Sequence, residues 1–159
     1  MEPHTIFETP HWLVSHRADS RYQGYLLVSS REAKPDLHEL SAAGLLELGS
    51  VLKNTEALLR SVYAPFKVIF AKLGFSGGPA CHFHVVPVTH RLLAEISSHQ
   101  EGAAEPDGSD AMLFVNRIYC ERDLTPLEQA EMLHTVSILQ RAANPLLNAD
   151  ARESVARAG

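Results

Sequence analysis

Only two of the 159 residues are cysteines, Cys81 and Cys120. That excludes a disulfide framework and a four-cysteine zinc site. Long apolar runs are missing too: no stretch approaches the roughly 18–20 residues that a membrane-spanning helix requires. There is no basic surplus. Fourteen Lys and Arg face nineteen Asp and Glu, for a formal charge of −5 and a pI near 6.0, so no extended nucleic-acid surface is expected. The opening Met-Glu-Pro-His-Thr has no basic region leading into an apolar stretch, so no secretory signal is expected, and the expected location is cytoplasmic. What remains is an ordinary globular composition, 45% apolar and 21% charged with mean hydropathy −0.08. This excludes general disorder and fits one domain over residues 1–159. Histidine is abundant by contrast, with nine; it is the side chain suited to nucleophilic and proton-transfer work near neutral pH.

Periodicity predicts strands at Trp12-Leu13-Val14 and Tyr25 to Ser29, joined antiparallel through a longer polar connection. A short turn at 36–40 and a long helix over about 42–63 follow, capped by Ser41 and ended by Pro65. Phe66 to Leu73 and Cys81 to Val88 read as a second hairpin, with the glycine-rich Gly74 to Pro79 at its tip. Residues 97–110 are polar and read as a surface loop. Met112 to Tyr119 reads as a strand, and a second helix begins at Thr125-Pro126 with Glu128 completing a capping box. Asn144-Pro145 is expected to stop that helix. The predicted class is α+β: an antiparallel sheet of about five strands, the 42–63 helix on one face, and a strand–helix extension over about 111–145.

The segment with the most chemical content is Gly77-Gly78-Pro79-Ala80-Cys81-His82-Phe83-His84-Val85-Val86-Pro87. Alternation along a strand puts His82 and His84 on one face and Cys81, Phe83 and Val85 on the other. The small residues before it can bring backbone N–H groups close to an anion. Two imidazoles beside such a loop suit phosphoryl or nucleotidyl transfer, one attacking phosphorus and the other hydrogen-bonding an oxygen or the leaving group. Two solvent-facing imidazoles on a strand and turn-forming glycines explain the same residues without any activity.

This stretch resembles the histidine triad (HIT) family, whose strand motif is His-φ-His-φ-His-φ-φ, φ being apolar, commonly followed by proline. The resemblance extends through Trp12-Leu13-Val14-Ser15-His16-Arg17, Gly24-Tyr25-Leu26-Leu27-Val28, and the helix after Asp36-Leu37-His38-Glu39-Leu40-Ser41, covering about residues 10–90. It places Ala80 at the first triad position, His82 at the nucleophile and His84 at the phosphate-contacting last histidine. It also implies substrate contacts at His16, Ser76, Gly77 and Gly78. Tyr25 stands where many members have histidine, and Phe75 and Ser76 replace the usual loop asparagine or glutamine.

What the resemblance implies is a nucleotide hydrolase or nucleotidyl transferase acting at the α-phosphate of a dinucleoside polyphosphate or nucleoside phosphoramidate. It works through a nucleotidyl-histidine intermediate, without a cofactor or catalytic metal, in a homodimer. Because Ala80 and the loop depart from the family pattern, an inactive nucleotide-binding module is the alternative. A metal site made of His82, His84 and one of His16, Cys81 or His90 ranks last, because no cysteine and histidine spacing completes a tetrahedral set.

Overall fold

Three strand-length segments in the first thirty residues fold into an antiparallel meander: β1 (Thr5–Glu8), β2 (Trp12–His16) and β3 (Leu26–Ser30). The computed structural model describes residues 2–74, 80–99 and 105–158, with side chains up to Ala149. After β3 come α1 (Ala42–Tyr63), β4 (Lys67–Ala71), β5 (His82–Val88), α2 (His90–His99), α3 (Gly108–Phe114) and α4 (Pro126–Ala158). The five strands form one antiparallel sheet in the order β1-β2-β3-β5-β4, so β5 lies between β3 and β4. The architecture is α+β, as expected.

Helix α1 starts where the sequence places it. The Ser41 hydroxyl accepts the Gly44 N–H at 3.1 Å and donates to Glu32 at 2.6 Å, and the helix ends at Ala64 in the left-handed region, just before Pro65. Its first turn is tied to the sheet by Trp12, whose buried indole N–H donates to the Gly44 carbonyl at 2.8 Å. Helices α1 and α4 cover one sheet face around Trp12, Val14, Leu58, Leu59 and Leu139. A second core, with Tyr25, Val86, Leu92, Ile96 and Met112, lies on the other face beneath α2 and α3.

One strand was not anticipated, and three expectations are corrected. Thr5–Glu8 is a strand; its exposed edge is shielded by α4, whose Gln140 side chain donates to the Thr5 carbonyl at 2.7 Å. The predicted strand at Met112–Tyr119 is helical, comprising the end of α3 and a π-helical turn over Val115–Tyr119. The reason lies upstream: Asp107 accepts from the Ser109 and Asp110 N–H groups, while Asp110 accepts from the Asp107 N–H, a capping box that starts a helix. Ala111, Met112 and Val115 are then buried at helical spacing. The polar run from residue 97 begins inside α2, whose buried Leu92 and Ile96 lie four apart. Finally, α4 starts with the predicted Thr125–Glu128 box but continues through Pro145 to Ala158. Proline there removes one backbone donor, and packing of Leu146 and Leu147 against the main core offsets that loss. Among the described residues, no helix is long and apolar enough to cross a membrane.

Candidate functional site

Strand register decides which side chains can meet. Ser29 pairs with His82, Leu27 with His84, and Ala71 of β4 also with His84. Directly paired residues share a face, so His82 and His84 project together from the sheet. Their half-buried rings lie 5.1 Å apart, centroid to centroid, edge to face. Cys81 and Val85 are buried in the opposite core, with Phe83 packed against it. Alternation therefore holds along β5 as the sequence predicts.

The two imidazoles are held differently. His82 Nδ1 lies 3.0 Å from the Ala80 carbonyl oxygen. A carbonyl only accepts, so Nδ1 carries a proton, and in the neutral ring Nε2 then holds the lone pair. Among the described residues Nε2 has no hydrogen-bond partner. A neutral imidazole with its free nitrogen exposed is the form a nucleophile needs. On the Ala80 side this contact uses only the backbone carbonyl. The loop side is close as well: a Cβ on Gly74 would stand 3.2 Å from the His82 ring.

His84 belongs to a polar chain that reaches across three elements. Its Nδ1 is 2.9 Å from the Tyr25 hydroxyl, which accepts from Arg17 at 2.8 Å. Arg17 also donates to Asn116 Oδ1 at 2.5 Å, and the Asn116 amide donates to the Met112 carbonyl at 2.8 Å. The phenol has one proton. The contact to His84 is shorter than the 3.2 Å separation from Asn116, whose oxygen already takes an Arg17 N–H. The phenol O–H is therefore assigned as donating to Nδ1 of His84, which accepts, and this leaves Nε2–H as a donor toward the open site. Burial first, then electrostatic repulsion from the neighbouring His82 ring and from Arg17, lowers the His84 pKa to about 4, so it is neutral at pH 7. Burial disfavours charge on Arg17, but its two-pronged contact with Asp19, at 2.6 and 3.0 Å, outweighs that and keeps the pKa raised. Arg17 is thereby fixed as a donor to the phenol.

The other predicted site residues are placed as follows. His16 is on β2 opposite Leu26, in the buried row with Trp12 and Val14, so it faces away from the histidine pair. Its Nδ1 meets the Arg17 carbonyl at 2.9 Å and its Nε2 accepts the Gly24 N–H at 3.3 Å. The His16 ring is 2% exposed, and both of its nitrogens are engaged by backbone groups. Ser76, Gly77 and Gly78 lie outside the described residues. Lys72 pairs with Asp36 at 2.9 Å. Neither Cys81 nor His16 shares the face of the pair, and His90 begins α2 beyond the end of β5. Those three therefore do not supply a third metal ligand there. Among the described residues, the grouping with metal-ligand spacing is exposed Asp36, His38 and Glu39.

Sequence reasoning singled out neither Arg17, Asp19 nor Asn116 as site residues. Arg17 and Asp19 lie in a stretch read as a connection, and Asn116 in one read as a strand. The capping residues Asp107 and Asp110 were the signal that could have put Asn116 on a helix.

No family model matches the sequence, and no curated protein does. Solved structures do. A hypothetical histidine triad nucleotide-binding protein from Sulfolobus tokodaii superposes with a TM-score of 0.59 at 14% identity, over 90% of this chain and 85% of that one. A HIT-like protein involved in cell-cycle regulation from Bartonella henselae gives 0.58 at 10% identity, over 89% and 88%. The C. elegans NitFhit protein gives 0.55 at 18% identity, over 88% of this chain; the match spans 27% of that longer protein. At these identities the likeness establishes the fold, which is HIT-like.

Proposed function

We propose that this chain is a nucleotide hydrolase or nucleotidyl transferase, with His82 as the nucleophile at an α-phosphate and His84 as a phosphate ligand. The observation that carries this reading is the His82 contact to the Ala80 carbonyl, which commits Nδ1 to donation and leaves Nε2, without a partner among the described residues, on the face it shares with His84. In the proposed reaction, Nε2 attacks phosphorus in line as the leaving group departs. The positive charge that then develops on the ring lies against the Ala80 carbonyl. Nε2–H of His84, oriented by Tyr25 and Arg17, donates to a phosphoryl oxygen. Water next attacks phosphorus, the His82–phosphorus bond breaks, and the nucleotide leaves. The Sulfolobus protein is described as nucleotide-binding, which supports the substrate class.

The test is release of AMP from diadenosine tetraphosphate and adenosine 5′-phosphoramidate, with His82→Ala as control. Loss of at least about a thousandfold in kcat in the control is expected. Equal release by both proteins would overturn the assignment. Binding of nucleotide without release would favour the inactive module, which the alanine at position 80 speaks for.

We further propose that residues 1–159 act as one domain, since both cores use the same sheet, and that two copies pair. The outer edge of β4 pairs with no strand among the described residues, and Leu46 on α1 is 85% exposed. Sedimentation of the wild type is expected to give a dimer, and Leu46→Glu to shift it toward monomer; a monomeric wild type sinks this part.

A further inference from the structure

The strand that carries the histidine pair leads on to a second, separate cavity. Thr89 follows the last residue of β5 and lies five positions beyond His84, roughly 16 Å along an extended chain. There the start of α2, the C-terminal end of α1, the 17–25 connection and the π-helical turn enclose about 250 Å³. None of the lining residues belongs to the Arg17–Tyr25–His84 chain. The volume is below the roughly 300–1,000 Å³ of sites for drug-sized ligands, so it suits a single substituted ring and not a nucleoside.

Its walls are aromatic. Tyr22 and Tyr119 pack edge to face with 5.2 Å between ring centroids, and Tyr63 supplies a third ring, close against Gly24. Its charges are two guanidiniums, Arg21 and Arg91, and one carboxylate, Glu95. Both Glu95 oxygens are committed: one accepts from Arg91 Nε at 3.1 Å and the other from the Tyr119 hydroxyl. The guanidiniums keep donors in reserve. Arg21 uses Nη2 on the Ile118 carbonyl and Glu121, and Arg91 uses only Nε. Arg21 Nη1, both terminal nitrogens of Arg91, the Tyr63 hydroxyl and the Gln23 amide have no hydrogen-bond partner among the described residues. A cation would therefore meet two like charges and no uncommitted carboxylate. An uncharged ring would cover the tyrosines but leave the guanidinium donors unmatched. A ring with an anionic group answers both, by packing on the rings and accepting charge-assisted hydrogen bonds.

We infer that this cavity is a second small-molecule site, and that its ligand is an aromatic acid: a single ring bearing one carboxylate or phosphate group. Arg91, exposed at the rim, and Arg21 hold the anionic group, while Tyr63 and Tyr119 flank the ring. The inference stands apart from the nucleotidyl-transfer reading, because it uses neither histidine of the pair.

Amide chemical-shift titration by NMR tests it, with benzoate and phenyl phosphate as probes and benzamide, benzylamine and inorganic phosphate as comparisons. At least one of the two acids is expected to bind about tenfold tighter or more than each comparison compound, moving the amides of Gln23, Arg91 and Tyr119. The tighter of the two tells a carboxylate from a phosphate ligand. Arg91→Gln removes exposed donors without touching the core and should weaken that acid at least about fivefold. Tyr63→Leu should do the same by removing a ring. His82→Ala should leave the affinity read at these amides unchanged. If Tyr63→Leu fails to fold by circular dichroism, Arg91→Gln carries the comparison. The inference is overturned if neither acid binds, if any comparison compound binds as tightly, or if Arg91→Gln keeps full affinity. Loss of affinity in His82→Ala overturns it as well, since the acid would then occupy the histidine site.

Discussion

Tyr25 has an unusual position for a phenol. Its ring belongs to the core beneath α2 and α3, yet its hydroxyl is the junction of Arg17, Asn116 and His84. Removing only the oxygen, with Tyr25→Phe, keeps the packing and cuts the junction. Arg17 loses one acceptor and His84 loses the donor that fixes which nitrogen carries its proton. Changes of this type behind a reacting group commonly cost about 10–100-fold. We therefore expect kcat to fall at least about tenfold with the KM for nucleotide changed by less than about threefold. Parallel loss of kcat and thermal stability would mean the phenol only holds the fold, and an unchanged kcat would remove it from the site. Gly24, immediately before it, is constrained differently. Its φ is +81°, and a Cβ there would stand 2.6 Å from the Tyr63 ring. Gly24→Ala combines a left-handed alanine with that clash and should cost about 2–3 kcal/mol in urea unfolding; a loss under about 0.5 kcal/mol would show that Tyr63 yields freely.

At the scale of elements, legibility in the sequence followed how local the determining interactions were. Helix α1 was readable because Ser41 and Pro65 bracket it. The β5 pattern was readable because two histidines and three core residues alternate without interruption. The start of α4 was readable from its Thr125–Glu128 box, but its passage through Pro145 was not, because the packing of Leu146 and Leu147 is tertiary. Met112–Tyr119 misled for a related reason: an apolar run of strand length fits either period, and the deciding Asp107–Asp110 cap lay in a segment read as loop. That one error also hid half the site. The histidines come from a strand, whereas Asn116 and the apolar wall beside them come from the helical segment that the pattern did not show. For His16 the resemblance carried no information on sheet face; the register with Leu26 puts it in the buried row.

For the molecule as a whole, buried His16 and half-buried His84, both neutral at pH 7, make stability depend on pH in a defined window. His16 has a pKa lowered to about 4, chiefly by burial, with His4 adding repulsion and the Arg17 carbonyl opposing the shift. His84 is lowered to about 4 as well. The geometry around His16 supports the direction: with Nδ1 donating to Arg17 and Nε2 accepting from Gly24, a second ring proton would break the Gly24 contact. Arg21, Glu128 and Glu131 line the small cavity on its other side, and Glu128 is engaged by Arg122 at 2.7 Å. The unfolded chain takes up protons at both histidines as pH falls below about 6.5, while the folded chain resists until about 4. Stability from these groups is thus fully present above pH 6.5 and is lost progressively from 6.5 to 4. The shifted carboxylates, Asp19 and Glu128 among them, have lowered values and titrate below this range, so the interval from pH 7 to 5 isolates the histidines. For His16 alone the loss over that interval is about 2 kcal/mol, or about 4–8 °C in Tm for a chain of this size. Thermal melts of the wild type and His16→Gln at pH 7 and pH 5 measure it. The variant should start lower at pH 7, because glutamine reproduces the two backbone contacts imperfectly, but its melting temperature should fall less on acidification. An equal fall in both proteins would mean that His16 is charged in the folded state, and that the buried end of β2 is more open than its hydrogen bonds require.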